Sequence, residues 1–415
     1  MSLKPDLRVA SSFDVDTVRR DFPILQRSVH GKPLVWLDNA ATTHKPQVVI
    51  DRVSRFYEHE NSNIHRATHA LAEEAAAAYE EARGRVATLL GASSPQEIVF
   101  VRGTTEGLNL LAATLGEKLL RPGDEILLTW AEHHANIVPW QFAAEKSGAV
   151  VRAAPVDDNG EIMLEEYARL LGPRTRIVSI AHVSNALGTV MPIAEMTAMA
   201  KRHGATVVID GAQGVPHRRV DVKSIGCDFY VFSGHKLFAP TGIGAVWGRA
   251  QLWEELPPWQ GGGGMIRHVT FEKTTFAHPP RRFEAGTPSL SAAVGLGAAI
   301  EYLDGIGWER IEQYETRLLG YALEGILGVD GLHVIGMPRD RGGVISLTMD
   351  GIADLEVGRM LDAEGIAVRI GHHCAQPILA RFGLESTVRP SFAFYNTYAE
   401  VDRLTEVLHK ISRRR

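Results

Sequence analysis

Three places in the chain carry residue types that could do chemistry together. Asp210 closes the apolar run "ATVVID", where a carboxylate can cap a helix, bind a metal or pair with a protonated pyridine nitrogen. Lys236 stands behind "DFYVFSGH" in a run that is otherwise apolar. A lysine there is either an exposed charge or a desolvated amine with a pKa low enough to form a Schiff base. Gly103, Thr104 and Thr105 of "VRGTTEGLNLLA" lie where a helix begins. A plain N-cap accounts for them, and so does a phosphate site built from backbone amides, two hydroxyls and the positive end of a helix dipole. Each feature alone favours its ordinary structural reading. In this order and spacing they specify pyridoxal phosphate far better than any one of them does.

A fourth place is "RIGHHCAQP", which sets Cys374 directly behind His372 and His373. Adjacent residues of an extended chain point to opposite sides, so three in a row seldom ligate one ion, and structural zinc needs four ligands at characteristic spacings. His65 and His69 of "HRATH" have i,i+4 spacing but lack the glutamate of an HExxH metal motif. No metal is expected. Gly, His and Pro neighbours suit an exposed loop for Cys374, where imidazoles could favour a thiolate, whereas Cys227 in "SIGCDFYVF" suits a buried thiol.

The elements that must position these residues follow from the apolar pattern. From about Leu34 to Gly248, short runs alternate with helical patterns: "EIVFV" (97–101), "DEILLT" (124–129), "RIVSIAH" (176–182), "ATVVID" (205–210) and "DFYVFS" (228–233). That alternation predicts an α/β domain with a mainly parallel sheet covered on both faces. Ligands of such sheets lie outside the carboxyl ends of the strands, so Thr104, Thr105, Asn185, Asp210, Ser233, His235 and Lys236 should converge. Beyond the Gly-rich "QGGGGMI" the pattern changes. A long helix near 291–303 leads to the strand-like "GGVISLTM" (342–349), a helix near 354–364, "IAVRI" (366–370) and a helix near 398–412. This reads as a second, smaller α+β domain. The expected division is an N-terminal segment, 1–30, packing with the small domain, a large domain, 31–303, and a small domain, 304–415, that carries Cys374.

The chain has 415 residues, enough for roughly two to three domains. A net charge of −5 gives no reason to expect nucleic acid or a membrane surface as partner. The N-terminus lacks the apolar core of a secretory signal, no segment approaches a membrane span, and "RRR" (413–415) reads as a solvated tail. Two distant cysteines fit a reducing compartment, and a cytoplasmic setting is expected.

The segments "LDNAATTHKP", "NIHRATHALAEEA", "FVRGTTEGLN", "EHHANIVPWQ", "HVSNALGTVMPI", "VVIDGAQGVPH", "DFYVFSGHKLFAPTGIG", "FEAGTP", "RIGHHCAQP" and "RPSFAFYNT" run from about residue 30 to the C-terminus. As a set, they resemble the class V aminotransferase family of fold-type I pyridoxal-phosphate enzymes, and within it the SUF-type (SufS-like) cysteine desulfurases. The resemblance implies a large domain with a mainly parallel seven-stranded sheet and a smaller α+β C-terminal domain. It implies that Lys236 forms the Schiff base with pyridoxal 5'-phosphate, Asp210 pairs with the pyridinium nitrogen, Gln213 and Asn185 lie near the phenolic oxygen, and His133 stacks on the ring. Thr104, Thr105, Ser233 and His235 would hold the phosphate, joined by Thr287 from the other subunit of a homodimer. Arg389, with Asn185 and Arg369, would bind the carboxylate of L-cysteine. Cys374 would be the nucleophile that takes the sulfur as a persulfide, leaving L-alanine. A SufE-like or SufU-like acceptor protein would carry the sulfur on to iron–sulfur cluster assembly.

The chain departs from that pattern at Gly264, where relatives often carry an acidic or hydroxyl residue, and at Gln376, where they often have Met. Three rival readings stand beside it: a selenocysteine lyase, a kynureninase-like or other β-elimination with Cys374 as bystander, and a non-enzymatic scaffold. Loss of Lys236 or Asp210 would have favoured the last, and both are present.

Overall fold

The computed structural model describes residues 13–64 and 68–414. Residues 1–12 of the N-terminal segment, His65 of the "HRATH" pair and Arg415 of the basic tail lie outside that range.

Seven strands form the central sheet: β1 (Ile98–Val101), β2 (Glu125–Thr129), β3 (Val150–Ala154), β4 (Thr175–Ala181), β5 (Thr206–Asp210), β6 (Phe229–Ser233) and β7 (Gly244–Gly248). Their order is β1-β7-β6-β5-β4-β2-β3. The pairs from β6 across to β3 are parallel, while β7 runs antiparallel to both β1 and β6. Successive residues face opposite sides, and except in the edge strand β3 both sides are buried, which is why those runs read as continuously apolar. In β1, Val99 and Val101 pack with Leu108, Leu111 and Trp140 on one face. Ile98 and Phe100 pack with Tyr79, Ala82 and Leu296 on the other.

The five strands expected from the sequence all form, within a residue of the expected ends. The antiparallel β7 and the edge strand β3 come in addition, and β7 is what places Gly244 opposite Ser233. Gly244 has no room for a side chain: a Cβ there would lie 2.4 Å from the Phe232 carbonyl and 2.7 Å from the Cα of Gly103.

The C-terminal part builds a second, antiparallel sheet from β8 (Leu332–Val334), β9 (Leu347–Met349), β10 (Arg369–Gly371) and β11 (Thr387–Arg389), in the order β8-β9-β11-β10. The run "GGVISLTM" contributes a strand only at its last three residues. "IAVRI" divides, because Ile366–Ala367 pairs instead, in parallel, with Val35–Trp36. At the N-terminal side, Phe13 stacks on Tyr314 at 4.6 Å between ring centroids, and Arg19 bonds the Tyr395 carbonyl and the Glu400 carboxylate. No helix among the described residues is long and apolar enough to cross a membrane.

Candidate active site

The strand ends deliver the first group of side chains. Beyond β1, Gly103 caps the helix Thr104–Leu119. At the end of β6, Ser233 Oγ accepts the Thr104 N–H at 2.8 Å and lies 2.8 Å from Thr104 Oγ1, so a helix start and a strand end meet at two hydroxyls. Asp210 ends β5, is buried, and accepts the Ala212 N–H at 2.9 Å. Burial raises its pKa, against the pull of that N–H and of Lys236. Lys236 lies in the turn Gly234–Lys236 that follows β6. Burial holds its amine down to about 8. Asp210 and Cys374 oppose that shift and Arg389 adds to it.

The carbonyl before that lysine is held by a group of donors no sequence motif announced. His235 O accepts from the Thr43 N–H at 3.1 Å, from Thr42 Oγ1 and Thr43 Oγ1 at 3.1 Å each, and from Lys45 Nζ at 3.0 Å. A carbonyl offers two lone pairs, so these donors crowd one acceptor and fix it. Lys45 is itself lowered to about 8 by burial.

A second group comes from the small sheet. Arg369 of β10 and Arg389 of β11 are directly opposed in register, so both side chains leave the same face. Both reach Asp38: Arg369 at 2.8 Å, Arg389 at 3.6 Å. Arg389 is 2% exposed, donates to the Asn185 carbonyl at 2.8 Å, and keeps its Nε buried without a partner. Burial lowers it to about 10, with Asp38 opposing.

The cysteine loop is tied to the large sheet through its backbone. Asn185 Nδ2 donates to the His373 carbonyl at 2.6 Å, and the His134 N–H donates to the Cys374 carbonyl at 2.7 Å. His373 (φ 53°) and Cys374 (φ 55°) are consecutive left-handed residues, a conformation that costs about 1–3 kcal/mol per non-glycine residue and persists only where its surroundings impose it. Both residues line one cavity, but they differ in exposure. His373 is buried with Nε2 2.8 Å from Thr387 Oγ1, and Cys374 is exposed. Cys227 is buried, and burial pushes its thiol up to about 12.

All of these residues line a single cavity of about 300 Å³: Thr104, Thr105, Ser233, His235, Lys236, Asp210, Gln213, Asn185, His133, Arg369, Arg389 and Cys374. His133 is held near 3 by burial first and then by Lys236, so its ring is neutral at physiological pH. Gln213 is oriented by donating to the Ala40 carbonyl at 2.6 Å. Thr287 is the exception. It lines a different groove, with Phe283, Glu284 and Trp259.

The chain matches the family model for aminotransferase class V over residues 35–404. It belongs to that family. It is 56% identical over 400 residues to a probable cysteine desulfurase of Mycolicibacterium paratuberculosis, covering 96% of this chain and 58% of that protein's length. It is 48% identical to a cysteine desulfurase of Dickeya dadantii, with 97% of each chain covered. The apo structure of a cysteine desulfurase from Thermococcus onnurineus superposes with a TM-score of 0.92 at 36% identity, over 98% of this chain and 100% of that one.

As a class V aminotransferase family site, the cavity fits pyridoxal phosphate on its own chemistry. It offers a buried amine lowered to about 8, a buried carboxylate, a neutral imidazole and paired hydroxyls at a helix start. The unpartnered Nε of Arg389 supplies a buried donor for an anionic group. Sequence reasoning missed Asp38, Thr42, Thr43, Lys45 and His134, although all lie in or beside segments that carry the family resemblance. Their work is done through backbone carbonyls and through other side chains, which no residue pattern advertises. Gly264 adopts φ 84°, a conformation glycine takes freely.

Proposed function

We propose that this chain is a pyridoxal-phosphate-dependent cysteine desulfurase that converts L-cysteine to L-alanine and passes the sulfur on as a persulfide. The observation that carries the reading is the placement of an exposed cysteine, in an imposed left-handed turn, on the wall of the cavity that holds Lys236, Asp210 and Arg389.

Bound at Lys236, pyridoxal phosphate supplies an electron sink for the pair released at the substrate's α-carbon. Asp210 keeps the site's negative charge beside the ring nitrogen, and His133 offers a neutral face. Thr104, Thr105, Ser233 and His235 hold the phosphate, joined by Thr287 of a second copy in a homodimer. Arg389 grips the α-carboxylate, with Arg369 and Asn185 beside it. A pKa near 8 makes the Lys236 amine available as a neutral base for the α-proton. Cys374 Sγ attacks the substrate sulfur, the Cβ–S bond breaks, and protons return to the three-carbon product. The balance is L-cysteine plus enzyme thiol giving L-alanine plus enzyme persulfide. A SufE-like or SufU-like protein then takes the sulfur toward iron–sulfur cluster assembly, in a cytoplasmic setting.

The test is to assay alanine and sulfide from L-cysteine with and without such acceptors, alongside Lys236→Ala. Alanine formation that needs Lys236 and rises with acceptor is expected. Turnover that survives Lys236→Ala would refute the reading.

A further inference from the structure

His373 turns inward, and the place beside Cys374 is taken by an imidazole from another part of the chain. One ligand atom each from His134, His372 and Cys374 lies within 4.8 Å of the others. The rings of His134 and His372 are 5.5 Å apart between centroids. Cys374 and His372 are exposed and His134 is half-buried, so the group opens to solvent. We propose that these three side chains form a capture site for a thiolate-seeking divalent ion of the zinc class, whose occupancy masks Cys374.

The donor set is one sulfur and two imidazole nitrogens, which suits Zn²⁺ and leaves a fourth position for water. Tetrahedral bonds of about 2.0–2.3 Å need ligand atoms closer than 4.8 Å, a contraction that two exposed side chains can make by rotating. Two hydrogen bonds now engage the rings: the Cys374 N–H donates to His372 Nδ1 at 3.0 Å, and the Gln376 N–H donates to His134 Nε2 at 3.2 Å. Metal capture exchanges one or both for coordinate bonds, and both donors lie at the surface, where water replaces the ring. Both imidazoles are therefore held as acceptors, and a neutral ring is the form a metal requires. On binding, the Sγ–H proton passes to solvent and an S–Zn bond forms, with no change of oxidation state. The site is a surface trap and not a structural metal centre: the loop is already fixed by the His134 N–H and Asn185 without an ion.

Binding rests on geometry alone, and only the expected inhibition rests on Cys374 being the sulfur nucleophile. Zn²⁺ is titrated into the cofactor-loaded enzyme against a chromophoric chelator, without L-cysteine, while Cys374 alkylation by iodoacetamide is followed; turnover is then assayed separately, with L-cysteine added at a chelator-buffered free Zn²⁺ level. One ion per chain, protection of Cys374, reversal by chelator and, after chelation, an unfolding midpoint equal to that of enzyme never exposed to zinc are expected. Cys374→Ala should abolish binding, His134→Asn and His372→Asn should each weaken it at least about tenfold, and Mg²⁺ should not compete. Unaltered zinc affinity in Cys374→Ala, or in both histidine variants, would overturn the site. Stoichiometric binding at these residues with undiminished turnover would instead overturn the nucleophile reading and leave the site standing.

Discussion

Removing one member of the Arg83–Glu284 pair should destabilise the protein as much as removing both. Arg83 is 1% exposed, and its guanidinium meets the Glu284 carboxylate in a two-pronged contact of 2.7 and 3.0 Å. Glu284 also accepts from the Phe100 N–H at 2.7 Å and the Tyr79 hydroxyl at 3.2 Å, and Arg83 donates to the Ile98 carbonyl at 2.8 Å. Burial alone would lower the Arg83 pKa, yet the Glu284 charge and hydrogen bonds outweigh it and raise it. Arg83→Met strands the Glu284 carboxylate in the interior, and Glu284→Gln leaves the buried guanidinium with only the half-exposed Glu80 as a charge partner, each at about 3–5 kcal/mol. Independent effects would sum to about 6–10 kcal/mol, but the double variant leaves only neutral groups unpaired and should cost no more than either single. Urea unfolding of the wild type and three variants, followed by fluorescence, gives the cycle. An additive double variant would refute the pairing argument. Glu284 precedes Thr287 in the same loop, so each single variant should also loosen cofactor retention if Thr287 serves a second copy.

Arg389→Lys keeps the charge and loses the two-pronged fork, so the Michaelis constant for L-cysteine should rise about tenfold or more while cofactor absorbance is retained; an unaltered constant removes Arg389 from substrate binding. Cys374→Ala should abolish persulfide detected by mass spectrometry and collapse alanine formation without loss of cofactor, and Cys227→Ala should be nearly silent; alanine formation that survives Cys374→Ala rejects the nucleophile. Capture of pyridoxal phosphate by the apoenzyme should accelerate as pH rises through about 8, the folded pKa of Lys236, and not through the ordinary 10.5. Between those values the unfolded chain binds a proton that the fold does not, so apoenzyme stability should also rise with pH there and level off below 8, and a flat profile would contradict the burial of Lys236. Light scattering should show a dimer, and a stable monomer with full cofactor occupancy would exclude the cross-subunit role of Thr287.

The central sheet was legible because its inner strands are buried on both faces. Asp210, Lys236 and the Thr104–Thr105 pair could be placed at strand ends before any coordinates. β7 was not read, since "GIGAVWG" is short, rich in glycine and antiparallel to its neighbours. "IAVRI" looked like one strand because periodicity does not reveal that its halves pair with different partners. Arg369 and Arg389 could be named from motifs, but their common face is a matter of register, and Asp38 is seen only when that register is known. Cys374 was legible as an exposed thiol. The metal argument from sequence weighed Cys374 only with the adjacent residues His372 and His373, and the approach of His134 from a distant segment is invisible in a residue string.

The segment around residues 38–45 has a consequence for how the protein comes into being on the ribosome. Its backbone and side chains are satisfied from opposite ends of the chain: the Ala40 N–H by Ser391, 351 residues away, and Asn39 by Asn396, while Thr42, Thr43 and Lys45 clasp the turn at His235. The seven central strands are all synthesised by residue 248, so a nascent chain can close the large sheet long before Arg389, Ser391 and Asn396 have emerged. Contacts of such sequence separation form last, because loop closure must precede their reward. The cavity wall is therefore finished only after Cys374 and Arg389 exist, well after the turn that carries Lys236 has been made. A half-made chain has the Lys236 turn but not the wall that faces it.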